Sequence, residues 1–349
     1  MIYTPTTMTT KLPTRKLGKN GPEVTALGLG LMGLSVAYGP AKPDAERLAF
    51  LDKAYELGER HWDSADMYGD NEDLLGKWFA ANPDKRASVF LATKFANKLD
   101  PATGTRSIDS SPEYAKAALA SSLRRLGLPS VDLYYCHRLD GVTPIERTVA
   151  AMAELRDAGK FKYLGLSECS AASLRRAAKV TRIDAVQIEY SPFALDIETE
   201  QVGLLAACRE LGVAVVAYSP IGRGIFSGKF RSPDDFAEGD FRKYAPRFSK
   251  ENFPRNLELV EKIVAVAEKK GVTPTQLTLA WLLRQGEDII PIPGTTSVER
   301  LESNLKALSI ELSDEEDKTI RKATDEAGVF GERYPAHFMS ACFADTPEL

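Results

Sequence analysis

The chain has 349 residues, 44% of them hydrophobic, and its 45 Lys and Arg against 49 Asp and Glu leave a net charge of −4. So small and interspersed a surplus argues against a nucleic-acid or membrane-surface partner, and no apolar run reaches membrane-spanning length. The polar start MIYTPTTMTTKLPTRK has no secretory apolar core, and Cys136, Cys169, Cys208 and Cys342 show no CxxC or metal-ligand spacing, so reduced thiols, no metal and a cytoplasmic location are expected.

In chain order, residues 1–13 are expected to be flexible, and TRKLGKNGPEVTAL reads as a β-hairpin around a Lys-Asn-Gly turn, ahead of the main fold. Eight short apolar runs follow: ALGLGLMGLS, RHWDSADMYG, SVFLATKF, VDLYYCHRLD, KYLGLSE, DAVQIEYS, VAVVAYSP and EDIIPIPG. Several are too short and too uniformly apolar to have a solvent face, as parallel strands covered on both sides should be. Amphipathic stretches alternate with them. Asp44 to Leu57 stops at Gly58, and Pro112 to Leu126 runs from Ser111 to Gly127. Thr143-Pro144 and Thr273-Pro274 open two more helices, the usual punctuation of Ser or Thr-Pro starts and Gly stops. The alternation predicts an α/β fold, a single (β/α)8 TIM barrel domain over residues 1–349. Residues 328–349 form a C-terminal tail, and the polar stretch from Gly222 to about Pro254, after strand seven, is a long lid loop.

Gly28, Gly30 and Gly33 spell GxGxxG. That spelling marks a dinucleotide loop only when a helix opens on its last glycines. Here LSVAYGPAKPD, with two prolines, intervenes, so the glycines are expected to serve tight packing of the first strand.

The informative residues are Asp63, Tyr68, Lys94 and His137, at or just beyond the downstream ends of three consecutive strands. Barrel strands deliver their ends to one face, where active sites sit. An acid, a phenol, an amine and an imidazole together make a proton-transfer centre. A phenol, with a reference pKa near 10, is a sluggish acid at neutral pH. A cation at about 4 Å interacts with it by roughly 4 kcal/mol, on the order of three pKa units. Lys94 is therefore expected to bring Tyr68 into working range, with Asp63 holding Lys94 charged.

The run from Gly58 through Arg60, Asp63, Ala65, Tyr68, Gly69, Asn71, Glu72 and Leu75 to Gly76 resembles the first signature of the aldo-keto reductase superfamily. Lys94 in LATKF and His137 in YYCHRLD match its other two catalytic positions, and AYSPIGRGIFSGKF and PIPGTTSVERLESNL resemble its cofactor segments. The likeness spans Thr14 to about Ala327, and the subgroup whose cofactor loop reads SPIGRG is the nearest in flavour. The resemblance implies a (β/α)8 barrel that reduces aldehydes and ketones with NADPH, NADH being possible. Tyr68 is then the proton donor and His137 the group that orients the carbonyl.

By the same resemblance Tyr218 stacks on the nicotinamide, and Ser167 and Gln187 bond its carboxamide. Ser219, Pro220, Ile221 and Gly222 run beneath the pyrophosphate, and Arg223 is a further cofactor-binding residue. Gly294, Ser297 and Arg300 surround a phosphate, and Asn304 reaches the adenine. PGTTSVERLE also reads on its own as a phosphate cradle, with Thr296 and Glu299 as a capping box and Arg300 able to grip a 2′-phosphate bidentately. Three positions depart from the family pattern: Glu168 stands for a frequent Asn, Ser297 for a basic residue and Ser303 for Glu or Gln. The partner implied is a small carbonyl or alcohol, acted on by a monomer. Two rival functions are a nicotinamide-binding regulatory subunit with slow turnover and an aldolase that uses Lys94 as a Schiff base. The loops around residues 32–40, 97–111 and 330–338 are expected to shape the substrate pocket.

Overall fold

The structure is a computed structural model that describes residues 11–349 except 101, 102 and 104. Of the segment expected to be flexible, residues 1–10 lie outside the described residues, while the Pro13 carbonyl accepts a hydrogen bond from the Ala26 amide at 2.9 Å. Strands β1 (Thr14–Lys16) and β2 (Glu23–Thr25) form the expected antiparallel hairpin, with Arg15 opposite Val24. Leu17 and Val24 are buried in one cluster with Ala92, Leu133, Tyr135, Ala185, Ala214, Val216 and Ile290. All but the first two of these come from barrel strands, so the hairpin plugs the barrel from below.

The barrel strands are β3 (Leu29–Gly30), β4 (His61–Asp63) and β5 (Phe90–Phe95), then, after the short antiparallel pair β6 (Asn97–Leu99) and β7 (Arg106–Ile108), β8 (Leu133–Cys136), β9 (Tyr163–Ser167), β10 (Ala185–Glu189), β11 (Ala214–Tyr218) and β12 (Ile289–Pro291). Neighbours pair in parallel in chain order, from β3 at one edge to β12 at the other. The edges meet. The Gly28 amide donates to Pro291 O at 2.9 Å and the Gly30 amide to Pro293 O at 3.3 Å, which closes the sheet and leaves no free edge to pair with another chain.

Two of the GxGxxG glycines, Gly28 and Gly30, lie on this seam. A Cβ on Gly28 would fall 2.8 Å from His61 Nδ1, and one on Gly30 would fall 2.9 Å from Ile292 O. No α-helix follows until α1 (Asp44–Glu56), so Gly28 and Gly30 serve close packing; Gly33, in the 3-10 turn Met32–Leu34, does not, since a Cβ there would lie an ordinary 3.6 Å from Tyr38 Cδ2.

The remaining helices are α2 (Asn71–Ala81), α3 (Pro112–Leu126), α4 (Ile145–Asp157), α5 (Ala171–Val180), α6 (Leu204–Leu211), α7 (Phe253–Lys270), α8 (Pro274–Arg284), α9 (Val298–Leu305), α10 (Asp314–Ala327) and α11 (Ala336–Met339). Ser111 caps α3 by accepting from the Tyr114 amide, and Thr273 and Gln276 make a capping box on α8. At α4 the Thr143 hydroxyl instead donates to Asp140, and the helix starts one residue beyond Pro144.

The stretch after β11 lies where the lid loop was expected, but it is folded rather than structureless. Short 3-10 turns at Gly222–Ser227, Pro233–Asp235, Phe241–Tyr244 and Pro246–Phe248 wrap an aromatic cluster, with Phe236 5.6 Å from Phe248 and 4.9 Å from Phe230. The Arg242 guanidinium lies 4.3 Å from the Phe236 ring and pairs with Asp240 at 2.6 Å. The Phe241 amide donates to Ala37 O at 3.1 Å, tying this segment to the loop after β3.

Candidate active site

The downstream ends of the strands bring the four expected residues together. Asp63 ends β4, Lys94 is the penultimate residue of β5, His137 follows β8, and Tyr68 lies on the turn between β4 and α2. Lys94 is fully buried, and its ammonium donates to Asp63 Oδ1 at 2.5 Å and Ser64 O at 2.6 Å. It lies 5.0 Å from the centre of the Tyr68 ring. The Tyr68 ring in turn meets His137 edge-on, with centroids 5.9 Å apart.

Burial opposes charge on Lys94, but Asp63 and Tyr68 outweigh it and hold the ammonium above the ordinary lysine value. An uncharged amine is therefore disfavoured here. Burial, with Arg138 and Lys94 beside it, holds the His137 imidazole well below its usual range, so it is neutral at physiological pH. Its Nδ1 is buried without a hydrogen-bond partner among the described residues.

Tyr68 corrects the expectation drawn from the sequence. Burial raises the phenol above its ordinary value despite the pull of Lys94. Desolvating a phenolate outweighs the attraction of a cation that is already shared with Asp63. The proton is thus held on Tyr68 in the free protein.

The strands on the other side of the mouth carry the next group. Ser167 ends β9 and lies 3.3 Å from Arg138 Nη1. Gln187, within β10, donates its amide to Asp63 Oδ2 at 2.8 Å, so both oxygens of Asp63 are engaged. Tyr218 ends β11, and its hydroxyl donates to Glu168 Oε1 at 2.7 Å.

Beyond it Ser219, Gly222, Arg223 and Gly224 all have positive φ, and Ile221 among them packs against Leu27, Leu279 and Ala307. At Gly222 a Cβ would also meet Ile225 Cγ2 at 2.9 Å. The Arg223 guanidinium is buried and bonded to Glu189 at 2.9 Å and Arg333 O at 2.7 Å.

The last group follows β12. Gly294 is exposed, and α9 begins at Val298. The cap is Ser297, whose hydroxyl accepts from the Arg300 amide at 3.3 Å and donates to Glu299 at 2.6 Å. The expected Thr296 cap is therefore one residue early, because the helix starts after Ser297 and only that hydroxyl reaches the third helical amide. Arg300 is exposed, with no ion pair among the described residues. Asn304 is 3% exposed, and its side chain bonds to no other described residue. Ser303 is occupied by Gln276, whose amide donates to its hydroxyl at 3.1 Å. An open helix N-terminus, a glycine and an unpaired guanidinium suit a phosphate-bearing ligand, and an unengaged amide deeper in suits a base.

Arg138, Glu189 and Arg333 escaped the sequence reading. Arg333 is 1% exposed and bonds Glu168 bidentately, Nη1 to Oε1 and Nη2 to Oε2, both at 2.9 Å. No local pattern links residues so distant in the chain. The one signal was Glu168, an acid directly after a strand end.

A model of the aldo/keto reductase family matches residues 26–325. The aldo-keto reductase yakc [NADP(+)] of Schizosaccharomyces pombe is 51% identical over 97% of this chain and 99% of its own. The aldo-keto reductase str7 of Strobilurus tenacellus is 48% identical over 97% and 99%. Among solved structures, a thermostable aldo-keto reductase in complex with the inhibitor epalrestat superimposes with a TM-score of 0.70 at 29% identity, covering 89% of this chain and 100% of that one. The glycerol dehydrogenase of Gluconobacter oxydans has the same fold, with a TM-score of 0.80 at 24% identity over 93% and 99%.

Proposed function

The chain belongs to the aldo/keto reductase family, and on that premise we propose that it reduces an aldehyde or ketone reversibly to the alcohol with NADPH, Tyr68 supplying the proton. The observation that carries this reading is the buried Asp63–Lys94 pair beside the Tyr68 ring. When bound, the cofactor supplies the hydride. Ser167, Gln187, Tyr218, Ser219 to Arg223, Gly294, Ser297, Arg300 and Asn304 are the residues that would hold it. The NADP(+) in the name of the fission-yeast relative agrees with Arg300 as the partner of a 2′-phosphate.

Each protein group then has one task. Burial keeps the Tyr68 phenol protonated until a carbonyl oxygen accepts its proton. The phenolate left behind faces the Lys94 ammonium, which Asp63 holds charged, so the barrier to proton transfer falls where charge develops. Neutral His137 donates a hydrogen bond to the same oxygen and orients it. An ammonium held charged in this way is a poor nucleophile, which speaks against a Schiff-base aldolase. A small carbonyl or alcohol as partner, a monomeric state and a reducing cytoplasm complete the reading.

The test is consumption of reduced nicotinamide by the purified full-length chain with a panel of aldehydes, ketones and sugar-derived carbonyls, with NADPH and then NADH. Turnover with NADPH, weaker with NADH, is expected. Tight NADPH binding with no turnover on any carbonyl would instead favour a regulatory subunit.

A further inference from the structure

Glu168 follows directly on β9 with φ 52, a left-handed backbone that side-chain-bearing residues rarely adopt. Its carboxylate is fully buried and fully engaged: Oε1 accepts from the Tyr218 hydroxyl and Arg333 Nη1, and Oε2 accepts from Arg333 Nη2. Burial works against this carboxylate, yet Arg333 and Arg138 hold it ionised.

The backbone of the tail is bonded at the same place. The Ala344 amide donates to Glu168 O at 2.8 Å, and Ser170 N–H donates to Ala344 O at 2.8 Å. Arg333 is itself anchored, because its carbonyl accepts from Arg223, whose other nitrogen bonds Glu189. The Tyr334 hydroxyl lies 3.0 Å from that of Tyr218. Two carboxylates and two guanidiniums thus meet in a buried cluster with Tyr218 at its edge. A tyrosine whose hydroxyl is held by a bidentately clamped carboxylate has little freedom to swing.

We propose that Arg333 is a positioning residue for the nicotinamide end of the site: carried in by the C-terminal segment, it clamps Glu168, which fixes the Tyr218 ring. On this reading Glu168, at a position where an amide is frequent in the family, orients the tyrosine rather than contacting the cofactor itself. The proposal rests on the NADPH reading above.

The experiment compares Kd values on the full-length protein for NADPH and for adenosine 2′,5′-bisphosphate, which has the adenine and 2′-phosphate but no nicotinamide. In Arg333→Met the Kd for NADPH is expected to rise about tenfold while that for the bisphosphate stays within about twofold. Arg333→Lys, which keeps the charge, should recover part of the loss. Parallel weakening of both ligands, or of neither, overturns the proposal. If Arg333→Met does not fold, Tyr218→Phe decides, since it keeps the ring and removes only the hydroxyl that ties it to Glu168 and Tyr334. Selective loss of NADPH affinity supports the proposal, and an unchanged NADPH Kd overturns it. A wild-type chain that binds neither ligand removes the NADPH reading itself, whereas one that binds both, with indiscriminate variants, removes only the role of Arg333.

Discussion

At the scale of single residues, the distinction that matters is between charges already paired and charges left open. Lys94, Arg223 and Arg333 are buried against carboxylates, while Arg300 is exposed at the start of α9 with no ion pair among the described residues. Arg300 is therefore free to meet a phosphate without first breaking a contact. Arg300→Ala is expected to raise the Kd for NADPH by roughly tenfold or more and to change that for NADH little; equal effects on the two would refute the assignment. The four central residues were legible in the sequence because each lies at or just beyond the downstream end of a short apolar run, and the downstream ends of strands in such a barrel converge on one face. Arg333 was not legible, because its partner Glu168 lies 165 positions away and an arginine in a polar tail carries no periodic signal. The upward shift of the Tyr68 phenol was missed for another reason. The sequence showed the cation but not the burial that outweighs it.

At the scale of elements, the strands and helix ends read clearly because their signals are local: apolar runs, Ser or Thr before Pro, and Gly at a left-handed stop. The segment after β11 did not. Its 3-10 turns are three to six residues long, too short for a period, and the phenylalanines that hold it together are irregularly spaced. The glycine motif at β3 was legible only through its surroundings, since the spelling alone suggests a nucleotide loop. Gly28→Ala tests that assignment. A methyl group there meets His61 and Ile292 at 2.8 and 2.9 Å, so a loss of about 1–3 kcal/mol in urea unfolding is expected. The NADPH Kd of the folded protein should not change. Lost affinity at full stability would make it a dinucleotide loop after all.

At the scale of the whole molecule, the barrel is closed by its first and last strands and plugged by the hairpin, which seals polar groups beneath the site. Glu59 is one of them. It is fully buried and bonded to the Thr25 hydroxyl at 2.8 Å, and burial pushes its carboxyl up to about 7. A carboxyl that titrates higher when folded binds its proton more tightly in the folded chain. Its contribution is complete below the unfolded value of 4.5 and is lost as pH rises through about 7. The stability of the wild type relative to Glu59→Gln should therefore fall by up to about 3 kcal/mol across that window; a constant difference would contradict it. Above the floor, closure of the barrel sets the ammonium, the phenol and the imidazole at one mouth, and the most direct measurement there is turnover by Tyr68→Phe with NADPH affinity followed in parallel. Loss of about 10²–10⁴-fold in kcat with an almost unchanged NADPH Kd is expected. A variant that keeps more than about a tenth of the wild-type rate would show that the proton comes from elsewhere.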